Sequence, residues 1–136
     1  MWRGHITGSE DRQPVAPLLG DIKGYDGGTT DFQVGPVTFA LAYCDYVVIH
    51  RFTPISKDTS ECDITWLAND DAEEGKDYDI DRLIWLWNVT TTADKRIIKS
   101  NAKGVNSRFY TPGPLSLMED FTWKYMSWYL QAIQPE

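Results

Sequence analysis

Between residues 37 and 67 apolar and polar side chains alternate, and that period-two pattern constrains the chain more than any other feature. Phe39, Leu41 and Tyr43 share one side of the stretch 37–43. The pattern restarts at Asp45 and places Tyr46, Val48, His50 and Phe52 on one face. Pro54 is expected to close this strand, residues 56–60 to turn the chain, and residues 61–67 to return as its hairpin partner. In the returning strand Cys62, Ile64 and Trp66 oppose Glu61, Asp63 and Thr65. One apolar face and one polar face describe an antiparallel sheet covered on one side. Residues 1–36, rich in Gly, Asp and Thr, offer at most a short edge segment at 14–19 and a turn at 25–30.

Helical spacing follows. Residues 69–78 are acidic and loop-like, and Asp79 is a helix cap. Leu83, Leu86, Trp87, Thr90, Ile97 and Ile98 then recur at helical intervals, with Gly104 expected as the C′ residue. The Thr run at 90–92 is a weak point where the helix can bend or start anew. A rigid Thr-Pro-Gly-Pro turn at 111–114 precedes Ser116 and Glu119, which have capping-box spacing. A helix over 117–133 is predicted, ended by Pro135. The expected fold is α+β, a single domain over 1–136 with an antiparallel sheet and a long C-terminal helix packed across it.

Charge and composition exclude several functions. A formal net charge of −7 disfavours nucleic acid or an anionic membrane as partner. The densest apolar run, at 80–89, is broken by Asp81, Arg82 and Asn88, which excludes a transmembrane helix. No apolar h-region follows Met1, so a cytoplasmic location is expected. Cys44 and Cys62 have neither disulfide-scaffold nor zinc spacing and read as small buried hydrophobes. The acidic run 70–74 lacks the spaced ligands of a calcium loop and reads as solvated. His5 reads as a terminal residue. His50, on an apolar strand face, reads as a hydrogen-bonded core residue.

One residue does not fit its surroundings. At about 100° per residue, Leu83, Trp87, Thr90, Asp94, Ile98 and Asn101 form one stripe of the first helix. A carboxylate facing an apolar interior must be paired, protonated, metal-bound, or placed at a helix break. Two readings of Asp94 stand at this point. It caps a second helical segment after the Thr run, or it is a functional carboxylate in a pocket formed with Trp87, Thr90, Ile98 and Asn101. Without metal, the second reading puts it at a cavity mouth, bonded to Asn101, a Thr hydroxyl or water.

From Asp94 onward the order of residues resembles the C-terminal signature of Rieske-type non-haem iron (ring-hydroxylating) oxygenase α-subunits. In that family an Asp precedes a Gln-x-Gly-(Val/Leu)-x-Ser-x-x-Tyr run, a Gly-Pro turn, a Glu opening the last helix, and often a Trp-Tyr pair. Here these are Gly104, Val105, Ser107, Tyr110, Gly113, Pro114, Glu119, Trp128 and Tyr129. The likeness covers about 37–133, most strongly 82–130, and includes Trp66-Leu67 and the run 85–91. Ala102 departs from it, standing where Gln is common. The resemblance implies a helix-grip (START-like) catalytic domain and makes Asp94 the carboxylate of a two-His, one-carboxylate iron(II) site. The complete protein would hydroxylate or demethylate a small organic substrate with dioxygen.

The remaining ligands of that chemistry are not in this sequence. Cys-x-His and Cys-x2-His, needed for a Rieske cluster, do not occur, so no iron–sulfur cluster is expected on this chain. His5 and His50 are too far apart to be the iron pair. The Rieske domain and the first part of the catalytic domain are expected to be missing, which leaves an incomplete domain, inactive and iron-free alone. Two other functions fit the same residues. One is a non-catalytic helix-grip module binding a small molecule. The other is a subunit that completes a partner oxygenase chain. Aromatic residues around the last helix, with Trp123, Met126 and Leu130 the most exposed, lead us to expect a homo-oligomer or such a partner chain.

Overall fold

The computed structural model describes residues 6–134. It contains two compact units, one ending at Asp94 and the other beginning at Lys95. The chain is α+β. Strands β1 (Thr30–Val34), β2 (Thr38–Ala42), β3 (Val47–Ser56) and β4 (Thr59–Leu67) form one antiparallel sheet in sequence order. Helix α1 (Ile80–Val105) follows, then a 3-10 turn (Leu117–Glu119) that leads into α2 (Asp120–Ile133).

In the first unit the core forms where α1 begins. Tyr46 and Val48 are fully buried, and Val15 and Leu83 nearly so. Leu41, Tyr43, Ile64, Trp66, Tyr78 and Trp87 pack against them. Leu41, Tyr43, Tyr46, Val48, Ile64 and Trp66 of the predicted apolar faces thus share one core, while Phe39 and Phe52 of the same faces are exposed and Ala40, on the other face of β2, is buried. Asp79 caps α1, its carboxylate accepting the Arg82 amide at 3.0 Å.

Buried polar groups tie the N-terminal segment to this core. Asp45 is fully buried. One of its carboxyl oxygens accepts the Thr7 hydroxyl, and the other accepts the Val15 amide at 3.0 Å. The Tyr46 hydroxyl donates to the Gly8 carbonyl at 2.8 Å and accepts from the Trp87 indole at 3.3 Å. A Cβ at Gly8 would lie 2.5 Å from the Tyr46 hydroxyl and 2.6 Å from the Tyr43 ring, so the chain can cross these tyrosines only as glycine.

Three expectations are corrected. Within 1–36 an edge segment was expected at 14–19, but those residues form no strand and strand β1 lies at Thr30–Val34 instead. It carries only Phe32 and Val34 as apolar residues, and backbone pairing to β2 through a turn with Gly35 at φ 63° makes it a strand. Pro54 does not end β3. The Phe52 amide points toward the β2 side and bonds Val37 at 2.9 Å. Two residues on, the Pro54 nitrogen points the same way, past the last β2–β3 pair at Arg51, where no ladder bond is lost. Gly104 is helical rather than a left-handed C′ residue, and α1 runs to Val105.

In the second unit the capping box forms as predicted, with the Glu119 carboxylate accepting the Ser116 amide at 2.6 Å. That bond holds the Glu119 carboxyl below its ordinary range. The chain from 120 to 133 is helical as expected, while Pro135 and His5 lie outside the described residues. Trp123, Met126 and Leu130 are exposed, and so are Phe121 and Trp128 on the other side of α2.

Leu83 is the only fully apolar side chain that α1 buries in the core. Leu83→Ala is expected to cost about 2–5 kcal/mol in denaturant unfolding. The exposed control Ile97→Ala should stay within about 0.5 kcal/mol of the parent. Equal effects of the two would show that α1 is not anchored at Leu83.

Candidate functional site

Helix α1 is continuous through the Thr run. Thr90 stays helical by donating its hydroxyl to the Leu86 carbonyl at 2.9 Å, with the Trp87 carbonyl at 3.4 Å. Asp94 is therefore a mid-helix residue, and the reading that made it the cap of a second segment is corrected. The stripe it belongs to starts in the core and ends in water. Leu83 is buried, while Trp87 and Thr90 are half-buried. Asp94, Ile98 and Asn101 are exposed. The expected bond from Asp94 to Asn101 or a Thr hydroxyl is not among the hydrogen bonds of the described residues.

His50 faces Trp87 from β3. The two rings meet edge to face at 5.1 Å between centroids. Cross-strand neighbours of His50 are Phe39 and Ile64, so the imidazole lies among apolar and aromatic groups. Burial lowers its pKa from the ordinary value of 6.5. Contrary to the sequence expectation, no hydrogen bond to the imidazole is found among the described residues. Cys44 is buried, as expected, and Cys62 is half-buried; both are free thiols.

No group of three or more His, Cys, Asp or Glu is brought together among the described residues.

Two clefts do form in the first unit. A cleft of about 500 Å³ lies between residues 14–17 and 75–79. A larger one, about 740 Å³, is walled by Tyr43 and by Trp85 and Leu86 of α1. Glu10 and Arg12 also line it, from the loop that Asp45 and Tyr46 hold. Arg12 has φ 66°, a left-handed conformation that costs a non-glycine residue about 1 kcal/mol or more. Neither cleft is lined by Trp87, Thr90, Asp94, Ile98 or Asn101. Sequence reasoning missed the larger cleft because its loop has no periodicity. Gly8 was the available signal.

The family described as ring hydroxylating alpha subunit (catalytic domain) matches residues 3–135. The chain belongs to this family. The glycine betaine monooxygenase oxygenase subunit of Pseudomonas aeruginosa (strain UCBPP-PA14) is 32% identical over 125 residues. Its counterpart in Chromohalobacter salexigens is 29% identical over 131 residues. These alignments cover 91% and 95% of this chain but only 29% of each relative. The chain is thus similar to a portion of an oxygenase α-subunit, as its C-terminal signature implied. No helix among the described residues is long and apolar enough to cross a membrane.

A depressed histidine pKa makes stability depend on pH with a definite sign. The unfolded chain takes up a proton near the ordinary value, and the folded chain does so only at lower pH. The His50 contribution is therefore complete above 6.5 and is lost as pH falls through the folded value. Going from about pH 7.5 to about pH 5.5, the parent should lose more stability than His50→Gln. Parallel losses in urea unfolding would contradict a buried neutral imidazole.

Proposed function

We propose that this chain is the C-terminal portion of the catalytic domain of a Rieske-type non-haem iron oxygenase. The observation that carries the reading is the family match over residues 3–135, within relatives of which the chain spans less than a third. In the complete protein, Asp94 is the carboxylate ligand of the mononuclear iron(II). The two His ligands and the Rieske cluster come from the part of the protein to which this chain does not align. Iron supplies dioxygen activation when bound. This chain supplies one carboxylate and, on the same helix stripe, the Trp87 and Thr90 side chains that line the substrate pocket with Ile98 and Asn101.

Several features support that assignment. Asp94 lies on the stripe that continues from the core residue Leu83, and α1 is helical through it. Asp94 is exposed rather than at the mouth of a cleft, so this role requires the rest of the domain to enclose it. A helix-grip arrangement, with the last helix across the sheet, would enclose the stripe. The substrate class we propose is a small N-methylated compound, since the relatives are named for glycine betaine. Iron is not expected to bind tightly to this chain alone, as one carboxylate is too few ligands.

Asp94→Ala in the complete oxygenase should abolish turnover and release the mononuclear iron while leaving the cluster's visible absorption intact. Retention of stoichiometric mononuclear iron by that variant would remove Asp94 from the ligand set.

The same reading includes association. Apolar side chains on several sides of α2 are exposed, a pattern of helices that work in interfaces. The isolated chain should self-associate, as a homo-oligomer or, in the cell, with a partner oxygenase chain. A compact monomer at tens of micromolar in analytical ultracentrifugation would count against this.

A further inference from the structure

The charge on the last turns of α1 is not explained by the oxygenase reading. Every residue from Lys95 to Val105 is exposed. Lys95, Arg96, Lys99 and Lys103 fall in this stretch, and the first acid after Asp94 is Glu119. At about 100° per residue these cations share an arc of about 100° on the helix surface. Asp94, Ile97, Ile98, Asn101 and Val105 lie on the other side. The helix thus presents Asp94 on one face and a basic stripe on the reverse.

The stripe works against the helix that carries it. Lys95, Lys99 and Lys103 stand four residues apart, and like charges at that spacing destabilise a helix. Only Lys103, in the last turn, is favoured by the helix dipole. None of these cations makes an ion pair among the described residues. The counter-charge must therefore come from outside the helix. Residues 70–74 of the same chain hold Asp70, Asp71, Glu73 and Glu74, all exposed. Glu73 pairs with Lys76 at 3.3 Å, whereas Asp70, Asp71 and Glu74 make no ion pair among the described residues. One chain thus carries an unneutralised basic stripe and an unneutralised acidic run. An extended polyanion is disfavoured by the net charge of −7, because it meets more of the molecule than the stripe. A second copy is repelled only beyond contact, and salt screens that repulsion over about 8 Å at physiological ionic strength.

We propose that the stripe of Lys95, Lys99 and Lys103 docks on the acidic run 70–74 of a second copy of this chain. The lysine ammonium groups pair with the second copy's Asp70, Asp71 and Glu74, and Arg96 borders the contact. The contact joins unlike surfaces, and each chain carries both. It leaves the Asp94 face of α1 uncovered, because that face lies on the reverse of the stripe. The proposal rests on the self-association in the reading above and gives it a surface other than α2.

The test is sedimentation of the 136-residue chain and two triple variants. One variant is Lys95→Glu, Lys99→Glu and Lys103→Glu, and the other is Asp70→Lys, Asp71→Lys and Glu74→Lys. All the substituted positions are exposed, and the first variant keeps like charges at the same helical spacing, so both should match the parent in circular dichroism. At about 0.1 M salt each variant alone should associate about tenfold more weakly than the parent. An equimolar mixture of the two should regain association to within about threefold of the parent, because each supplies the charge that the other lacks. Raising the salt to about 0.5 M should weaken the parent as well. Variants that associate as the parent does overturn the stripe and leave association through α2 standing. A mixture that stays dissociated overturns the pairing of stripe with acidic run. A parent that is monomeric throughout overturns the association reading itself, and none of these outcomes bears on Asp94 as an iron ligand.

Discussion

Asp45 is the constraint on which the first unit depends. A carboxyl group with no solvent exposure needs partners, and it finds them in the Thr7 hydroxyl and the Val15 amide, 38 and 30 residues away. A turn between two strands is thereby fastened to a segment that has no regular structure of its own. Tyr46, next in sequence, extends the same connection to Gly8 on one side and to Trp87 on the other. Two adjacent buried residues thus join loop, sheet and helix. The apolar burial of Val15, Val48 and Leu83 closes around them.

This arrangement explains how the two faces of α1 come to differ. Leu83 and Trp87 are fixed against the sheet, so Trp85 and Leu86 are turned toward the loop that Asp45 holds. The stripe continuing from Trp87 through Thr90 reaches Asp94 without a break, because the Thr90 hydroxyl bonds back into its own helix. Helix continuity and the anchoring of its first turns therefore set the direction of the carboxylate. They also set the cleft on the other side.

The strands with alternating patterns were legible in the sequence because a sheet covered on one face writes its burial as period two. Strand β1 was not, since Asp31, Phe32, Gln33 and Val34 carry too little alternation, and hydrogen bonding to β2 alone makes them a strand. Pro54 misled for a related reason. Its missing amide matters only where a neighbour strand needs it, and whether β2 reaches that far is not a local property. The Thr run also misled, because propensity is a weak prior once one end of a helix is packed.

By itself, the sequence determined the α+β class, the β3–β4 hairpin, the caps at Asp79 and Ser116–Glu119, and the family signature that starts at Asp94. All of these rest on short-range spacing, which a single chain displays directly. Only the tertiary structure decided that Asp45 is buried, that residues 6–12 form the wall of a cleft, and that His50 meets Trp87. These depend on contacts between residues 30 to 40 positions apart, and no local pattern of side chains encodes which distant amide or ring will meet them.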